Sequence, residues 1–470
     1  MALTQRPLTQ RRLTRRRLLH AGGIGALAAS GLPMVGLADL LANKATEGRG
    51  NSAKSCIFIY QYGGLSQLDS WDPKPAAPAE IRGPYRPIST RTPGLQVGEL
   101  MPRLAELSDR YCVIRSMSHG VPVHNIANEM LLAGRSDPRR DSPSLGSIVT
   151  RLRPVHDGLP AHVWLQKFGG GAAPADSAYL TGGFLGMSHA PLVLGERHDD
   201  NPATSGFRVR AFESAEDVGA DRLRIRWELL QSLRMLEADS GDPANRVLSD
   251  FQKRAMTLLS TEESQQAFDL EQEPPSVRDR YGRNPFGQNL LMARRLIESG
   301  VRLVNVVAWT GLAANEKFVS VETWDMHGNA GIGIFDNGWN GLGWALPRCD
   351  MAVAALLEDL TDRGLLDETL VVLVGEFGRT PKISRGASAI GRDHWPNCYS
   401  AMLAGAGIQG GLVYGQSDDT AAYVREKPVR PEDFSATILH ALDIDPATRL
   451  SPDGFTLPAS SGQPILELFG

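Results

Sequence analysis

The chain has 470 residues, 42% of them hydrophobic, enough to bury the core of one large α/β domain or of two or three smaller ones. Its 49 Lys and Arg against 53 Asp and Glu give a formal charge of -4, and beyond the N-terminus the basic clusters alternate with acids, which excludes the basic surface that nucleic acid requires. The four cysteines, Cys56, Cys112, Cys349 and Cys398, are far apart and form no C-x-x-C, so neither a zinc finger nor a dense disulfide framework is indicated.

Residues 1–45 read as an export leader and linker. Leu13 to Ala38 joins a basic stretch to a short Gly/Ala-rich apolar run with a small-residue end. Thr14-Arg15-Arg16-Arg17-Leu18-Leu19 resembles a twin-arginine signal, which predicts passage of the folded protein through the twin-arginine export machinery to the periplasm or beyond. The apolar run is shorter than the ~20 residues of a spanning helix, so no stable membrane span is expected after leader removal.

Residues 52–470 have the pattern of one α/β domain. Apolar runs open at Cys56, Tyr111, His162, Val301, Thr369 and Tyr399 and end in Gly or polar residues, as strands buried on both faces of a parallel sheet do. Helical spacing lies between them, at 100–110, 285–300 and 348–366. From about 217 to 279 the strand pattern gives way to charged, amphipathic helix, read as an insertion covering the sheet. Alternation of strand and helix predicts a doubly wound, mainly parallel sheet.

In such sheets ligands bind beyond the C-terminal ends of the strands. Four polar groups stand there. Ser66, Asp69 and Asp72 follow the first strand, and His119 and His124 the second. The segment "ETWDMHGN" contributes Asp325 and His327. "GEFGRTPK" and "GRDHWP" contribute Glu376, Arg379, Arg392, Asp393 and His394. A lone histidine is most often a hydrogen-bonded structural residue. Several imidazoles among carboxylates, without matching cysteines, are what a Zn, Mn or Fe site uses.

The order of the leader, "GGLSQLDSWDPK", "LMPRLAELSDRYCVIRSM", "WDMHGN", "GEFGRTPKI", "GRDHWPN" and "GGLVYGQSD" closely resembles the exported bacterial family known as domain of unknown function 1501. That family looks like a branch of the alkaline phosphatase and sulfatase superfamily. The resemblance implies an alkaline-phosphatase-like fold and one or two divalent ions, Zn, Mn or Ca. Asp325, His327, Glu376 and His394 fall on ligand positions, and Asp69 is the nearest substitute for the acid missing before Gly63. Phe377 stands where a metal-binding His is usual. Ten residues before Gly134, where the superfamily places a Cys, Ser or Thr nucleophile, this chain has His124. That residue is read as a metal ligand or general base, as a phosphoryl acceptor, or as a relic. Arg379 and Arg392 are expected to bind the anionic oxygens of the substrate, or else to form ion pairs.

The resulting expectation is an exported, metal-dependent hydrolase of phosphate or sulfate esters, acting on an anionic small molecule or a glycan ester. Two alternatives stand beside it. One is a non-catalytic relative that binds a glycan or scaffolds a surface complex. The other is a serine hydrolase using Ser66 with His394 as base, although Leu68 replaces the closing Gly of a nucleophile elbow.

Overall fold

All six apolar runs become strands of one eight-stranded sheet in the computed structural model. The structure describes residues 53–155, 159–169, 173–196, 200–209, 262–312, 321–329, 333–338, 341–450 and 457–470, with isolated positions between 225 and 232. The strands are β1 (Ser55–Tyr60), β2 (Tyr111–Met117), β3 (His162–Leu165), β4 (Leu192–Leu194), β5 (Leu303–Val307), β6 (Thr369–Val374), β7 (Tyr399–Ala404) and β8 (Val413–Tyr414). Their spatial order is β8-β2-β7-β6-β1-β5-β3-β4. β4 and β8 were not expected from the sequence, being only three and two residues long.

The labelled helices are α1 (His124–Ala133), α2 (Leu145–Leu152), α3 (Pro285–Glu298), α4 (Leu342–Asp362) and α5 (Pro431–Ala441). Strand side chains alternate between faces. Ile57, Ile59, Val371 and Leu373 enter one core with Leu290 and Leu291 of α3 and Leu356 and Leu357 of α4. Cys56, Phe58, Val372 and Val374 enter the other with Leu131 and Leu132 of α1, Ile148 of α2 and Ile438 of α5. Helices therefore cover both faces, and the sheet is doubly wound.

Local chemistry sets the helix ends. The Asn284 side chain accepts from Gly287 N, and Pro285 occupies the first turn of α3, where its missing N–H costs nothing. α1 stops at Gly134, which has φ 62°, and a Cβ there would lie 2.2 Å from Ser435 of α5. Glycine is needed at this point both for the left-handed turn and for the close helix contact.

One strand departs from expectation. β7, read as one more parallel strand, runs antiparallel to both β2 and β6. Its N-terminal approach, residues 392–395, consequently reaches the same sheet edge as the C-terminal ends of β1, β2 and β6. All four cysteines are buried and free.

The leader, residues 1–45, lies outside the described residues, as does most of the insertion expected at 217–279. The described end of that insertion comprises Glu262–Phe268, Leu270–Gln272 and Pro275–Tyr281. Its Phe268 and Leu270, and Tyr281 just past its expected end, are buried in the core that contains α3 and α4. Among the described residues no helix is long and apolar enough to cross a membrane.

Candidate metal centre

Five segments meet at this edge, one of them the start of α1, which carries His124. The chain leaves β1 through Gly63, with φ 110°, where a Cβ would lie 2.4 Å from the backbone N of Asp325. Only glycine lets the 322–329 segment come so close, and Trp324 N donates to Tyr62 O at 3.2 Å to hold it there. β6 runs straight into Glu376, whose fully buried carboxylate accepts from Gly63 N at 2.9 Å. Gly378–Arg379 then pairs antiparallel with His394–Trp395, His394 opposite Arg379. Directly paired residues share a face, so both side chains reach Asp325.

Asp325 Oδ1 is the hub. It lies 3.2 Å from His124 Nε2, 2.9 Å from His327 Nε2, 3.3 Å from His394 Nε2 and 2.6 Å from an Arg379 Nη2. The Nε2 atoms of His327 and His394 are 2.7 Å apart. One ligand atom from each of His124, Asp325, His327 and His394 lies within 4.8 Å of the others.

Behind the rings, every Nδ1 faces an oxygen. His124 Nδ1 lies 2.6 Å from Glu376, His327 Nδ1 2.9 Å from Asp393, and His394 Nδ1 2.9 Å from the carbonyl of Pro122. Carbonyls and carboxylates only accept, so each Nδ1 donates, and a ring that gives up its second proton to an ion turns an Nε2 lone pair inward. Three converging lone pairs and a carboxylate call for a cation. His124 Nε2 is buried, and the acceptor beside it is Asp325 Oδ1 at 3.2 Å.

The charges respond to this crowding. Burial disfavours the His124 cation, but the Asp325 and Glu376 carboxylates beside it outweigh that and push the group up to about 9. Burial also opposes ionisation of Asp325, yet the Arg379 charge and three imidazole contacts hold its carboxyl well below the usual range. His394 is lowered by burial, reinforced by the nearby Arg379 and histidine charges.

Three imidazole nitrogens and one carboxylate oxygen fit an ion of the Zn, Mn or Fe type. They suit Ca poorly, since it takes six to eight oxygen ligands. His124, Asp325, His327 and His394 are thus brought together, whereas two expected ligands are not. Glu376 stands one bond further out, its carboxylate occupied by His124 Nδ1 and Gly63 N. Asp69 is taken by Arg392 at 2.8 Å and by the Ser66 hydroxyl at 2.5 Å. Ser66 is accordingly turned to Asp69 and not to His394.

The two arginines expected to meet substrate are both 0% exposed. Arg379 donates to the carbonyls of Gly63, Gly64 and Arg392 as well as to Asp325. Arg392 donates to Asp69 and to the carbonyls of Ile81, Thr380 and Pro381. His119 stands beside the group, its Nε2 2.6 Å from the carbonyl of Glu376 and its Nδ1 accepting from Val121 N. The Pro122 carbonyl behind His394 was not expected, because a backbone acceptor has no residue-type signature. Asp393, grouped in the sequence with Glu376 and His394 as a polar residue beyond the strand ends, is the acceptor behind His327.

An α/β domain with a His₃Asp cluster at its strand ends defines the class of protein. The chain belongs to the family described as "Protein of unknown function (DUF1501)", whose model matches residues 53–469. No curated protein matches it. Among solved structures, the PsFucS1 sulfatase from Pseudoalteromonas sp. aligns at 12% identity and TM-score 0.38, over 92% of this chain and 74% of that one. The phosphonate monoester hydrolase SpPMH from Silicibacter pomeroyi aligns at 13% identity and TM-score 0.33, over 89% and 76%. The phosphonate monoester hydrolase of Agrobacterium radiobacter aligns at 10% identity and TM-score 0.34, over 88% and 77%. The chemistry of the centre therefore rests on its own geometry.

Proposed function

We propose that the protein is an exported, metal-dependent hydrolase of phosphate or sulfate esters, with an anionic small molecule or glycan ester as substrate. The observation that carries this reading is the convergence of three imidazole Nε2 atoms on Asp325 Oδ1, each ring held from behind by an oxygen acceptor. Export rests on the leader motif at Arg15-Arg16-Arg17.

A divalent ion held by His124, Asp325, His327 and His394 supplies Lewis acidity toward an ester oxygen and toward water. The chain's residues do the rest. Glu376 and Asp393 keep the Nδ1 protons of His124 and His327 in place, which fixes the tautomers and strengthens the inward nitrogens as donors. With both of its nitrogens so placed, His124 suits the role of ligand better than that of covalent acceptor. Arg379 orients Asp325. The side chains of Asp325, His327 and His394 are 23%, 20% and 19% exposed, so an ester can approach from their side.

Elemental analysis and hydrolysis of aryl phosphate monoesters, aryl phosphate diesters and aryl sulfates test this, before and after His394→Ala. The wild type is expected to carry metal and turn over one of these esters, and the variant to lose both while keeping its circular dichroism. Equal metal content and equal hydrolysis in the two would sink the proposal. One observation favours a second reading, a metal-bearing binding protein without turnover: both arginines are fully buried and committed to internal acceptors. Bound metal without hydrolysis of any ester would select that reading.

A further inference from the structure

We infer that the centre takes a single divalent ion and that the guanidinium of Arg379 stands in the place of a second one; this rests on the reading of the His₃Asp cluster as a metal site. The inference comes from the second charged partner of Asp325, the Arg379 guanidinium. A carboxylate that bridges two cations presents lone pairs to both. Here Oδ1 lies within 3.3 Å of the three Nε2 atoms and is also met by an Arg379 Nη2 at 2.6 Å.

Arg379 is built into this position. Its Nε donates to Gly64 O at 3.0 Å and an Nη1 donates to Arg392 O at 3.1 Å, while Nη2 also reaches Gly63 O. Two glycine carbonyls at the end of β1 and one carboxylate form an oxygen-lined pocket of the kind a hard cation occupies, and the chain fills it with its own charge. The turn that aims those carbonyls needs both glycines: Gly63 and Gly64 have φ of 110° and 84°.

Two nearby carboxylates are already engaged. Asp69, the other carboxylate following β1, is held by Arg392, itself 0% exposed and bound to three further carbonyls. Glu376 is occupied by Gly63 N and His124. The Phe377 ring packs with its centroid 4.8 Å from that of His124 and 4.5 Å from that of His394, placing hydrocarbon against the imidazoles. A second dication beside Asp325 would face two fixed guanidinium groups, while Asp69 and Glu376 are already engaged.

The full chain, exported through its own leader and stripped of metal, is titrated with Mn²⁺ and followed by electron paramagnetic resonance. The expected result is one tight equivalent with the six-line spectrum of an isolated ion. Two tight equivalents, or an exchange-coupled multiline spectrum, overturn the single-ion inference and leave the metal reading standing. No bound equivalent overturns both. Arg379→Gln probes the stand-in role in protein shown to be folded by circular dichroism: removal of the guanidinium is expected to admit a second, weaker equivalent, whereas Arg379→Lys keeps the count at one. A folded Arg379→Gln that still binds one equivalent removes the stand-in role. If that variant does not fold, the wild-type count remains the deciding measurement.

Discussion

Asp325 and Asp69 are the same chemical group at the same edge of the same sheet, and each meets a guanidinium that is 0% exposed. They differ in what lies on the other side. Asp69 is 1% exposed and its second contact is the Ser66 hydroxyl, so its charge is sealed inside a hydrogen-bonded knot. Asp325 is partly open and turns its remaining lone pairs toward three imidazole nitrogens. A buried arginine partner therefore does not distinguish a structural carboxylate from a site carboxylate; the unsatisfied face does.

The comparison breaks most sharply at Asp325→Asn. That change removes the only anionic ligand, and metal affinity should fall by more than the roughly 10–100-fold that loss of an outer partner costs. A Mn²⁺ titration of folded protein measures this; an unchanged affinity would place the ion elsewhere. Asp69→Ala should act on the fold instead. It leaves the Arg392 guanidinium buried without its carboxylate, a loss of about 3–5 kcal/mol. Urea denaturation should show that loss, while the metal equivalents per folded molecule stay as in the wild type.

Histidine offers a parallel contrast. His162, at the start of β3, is buried like His124, but its Nε2 meets the amide oxygen of Asn305 at 2.8 Å and no carboxylate. Burial lowers it from 6.5 to about 4, in the direction opposite to His124. Because the folded-state value is depressed, the stabilisation from neutral His162 is fully present above pH 6.5 and is lost as pH falls toward 4, by about 3 kcal/mol in all. His162→Gln should flatten the stability profile between pH 6.5 and 4, read by thermal unfolding at fixed ionic strength. A slope unchanged by the substitution would assign the acid sensitivity to other groups.

The smallest effect is expected at Glu376→Gln. The amide can still accept from His124 Nδ1 but no longer supplies charge, so metal affinity should drop roughly 10–100-fold with the ion count unchanged. Complete loss of metal would instead make Glu376 a direct ligand.

Much of the fold was legible because long apolar runs have few ways to be buried. The stretches from Cys56, Tyr111, His162, Val301, Thr369 and Tyr399 all formed strands, whereas β4 and β8 are too short to show a period. The members of the centre were legible by residue type and place, since His124, Asp325, His327 and His394 combine metal-ligating chemistry with positions beyond strand ends. Their separation from Glu376 and Asp69 was not, because a carboxylate reads the same in sequence whether it faces an ion, a guanidinium or an imidazole.

By itself the amino-acid sequence determined that an α/β sheet would form and that histidines and acids would gather beyond its strand ends, because hydrophobic periodicity and residue chemistry are local properties. Tertiary structure alone decided that β7 runs antiparallel, that His394 pairs with Arg379, and that both arginines point inward to carbonyls. Strand direction and register depend on which distant segments meet, and a charged side chain is buried only where those segments together supply the acceptors that offset its desolvation.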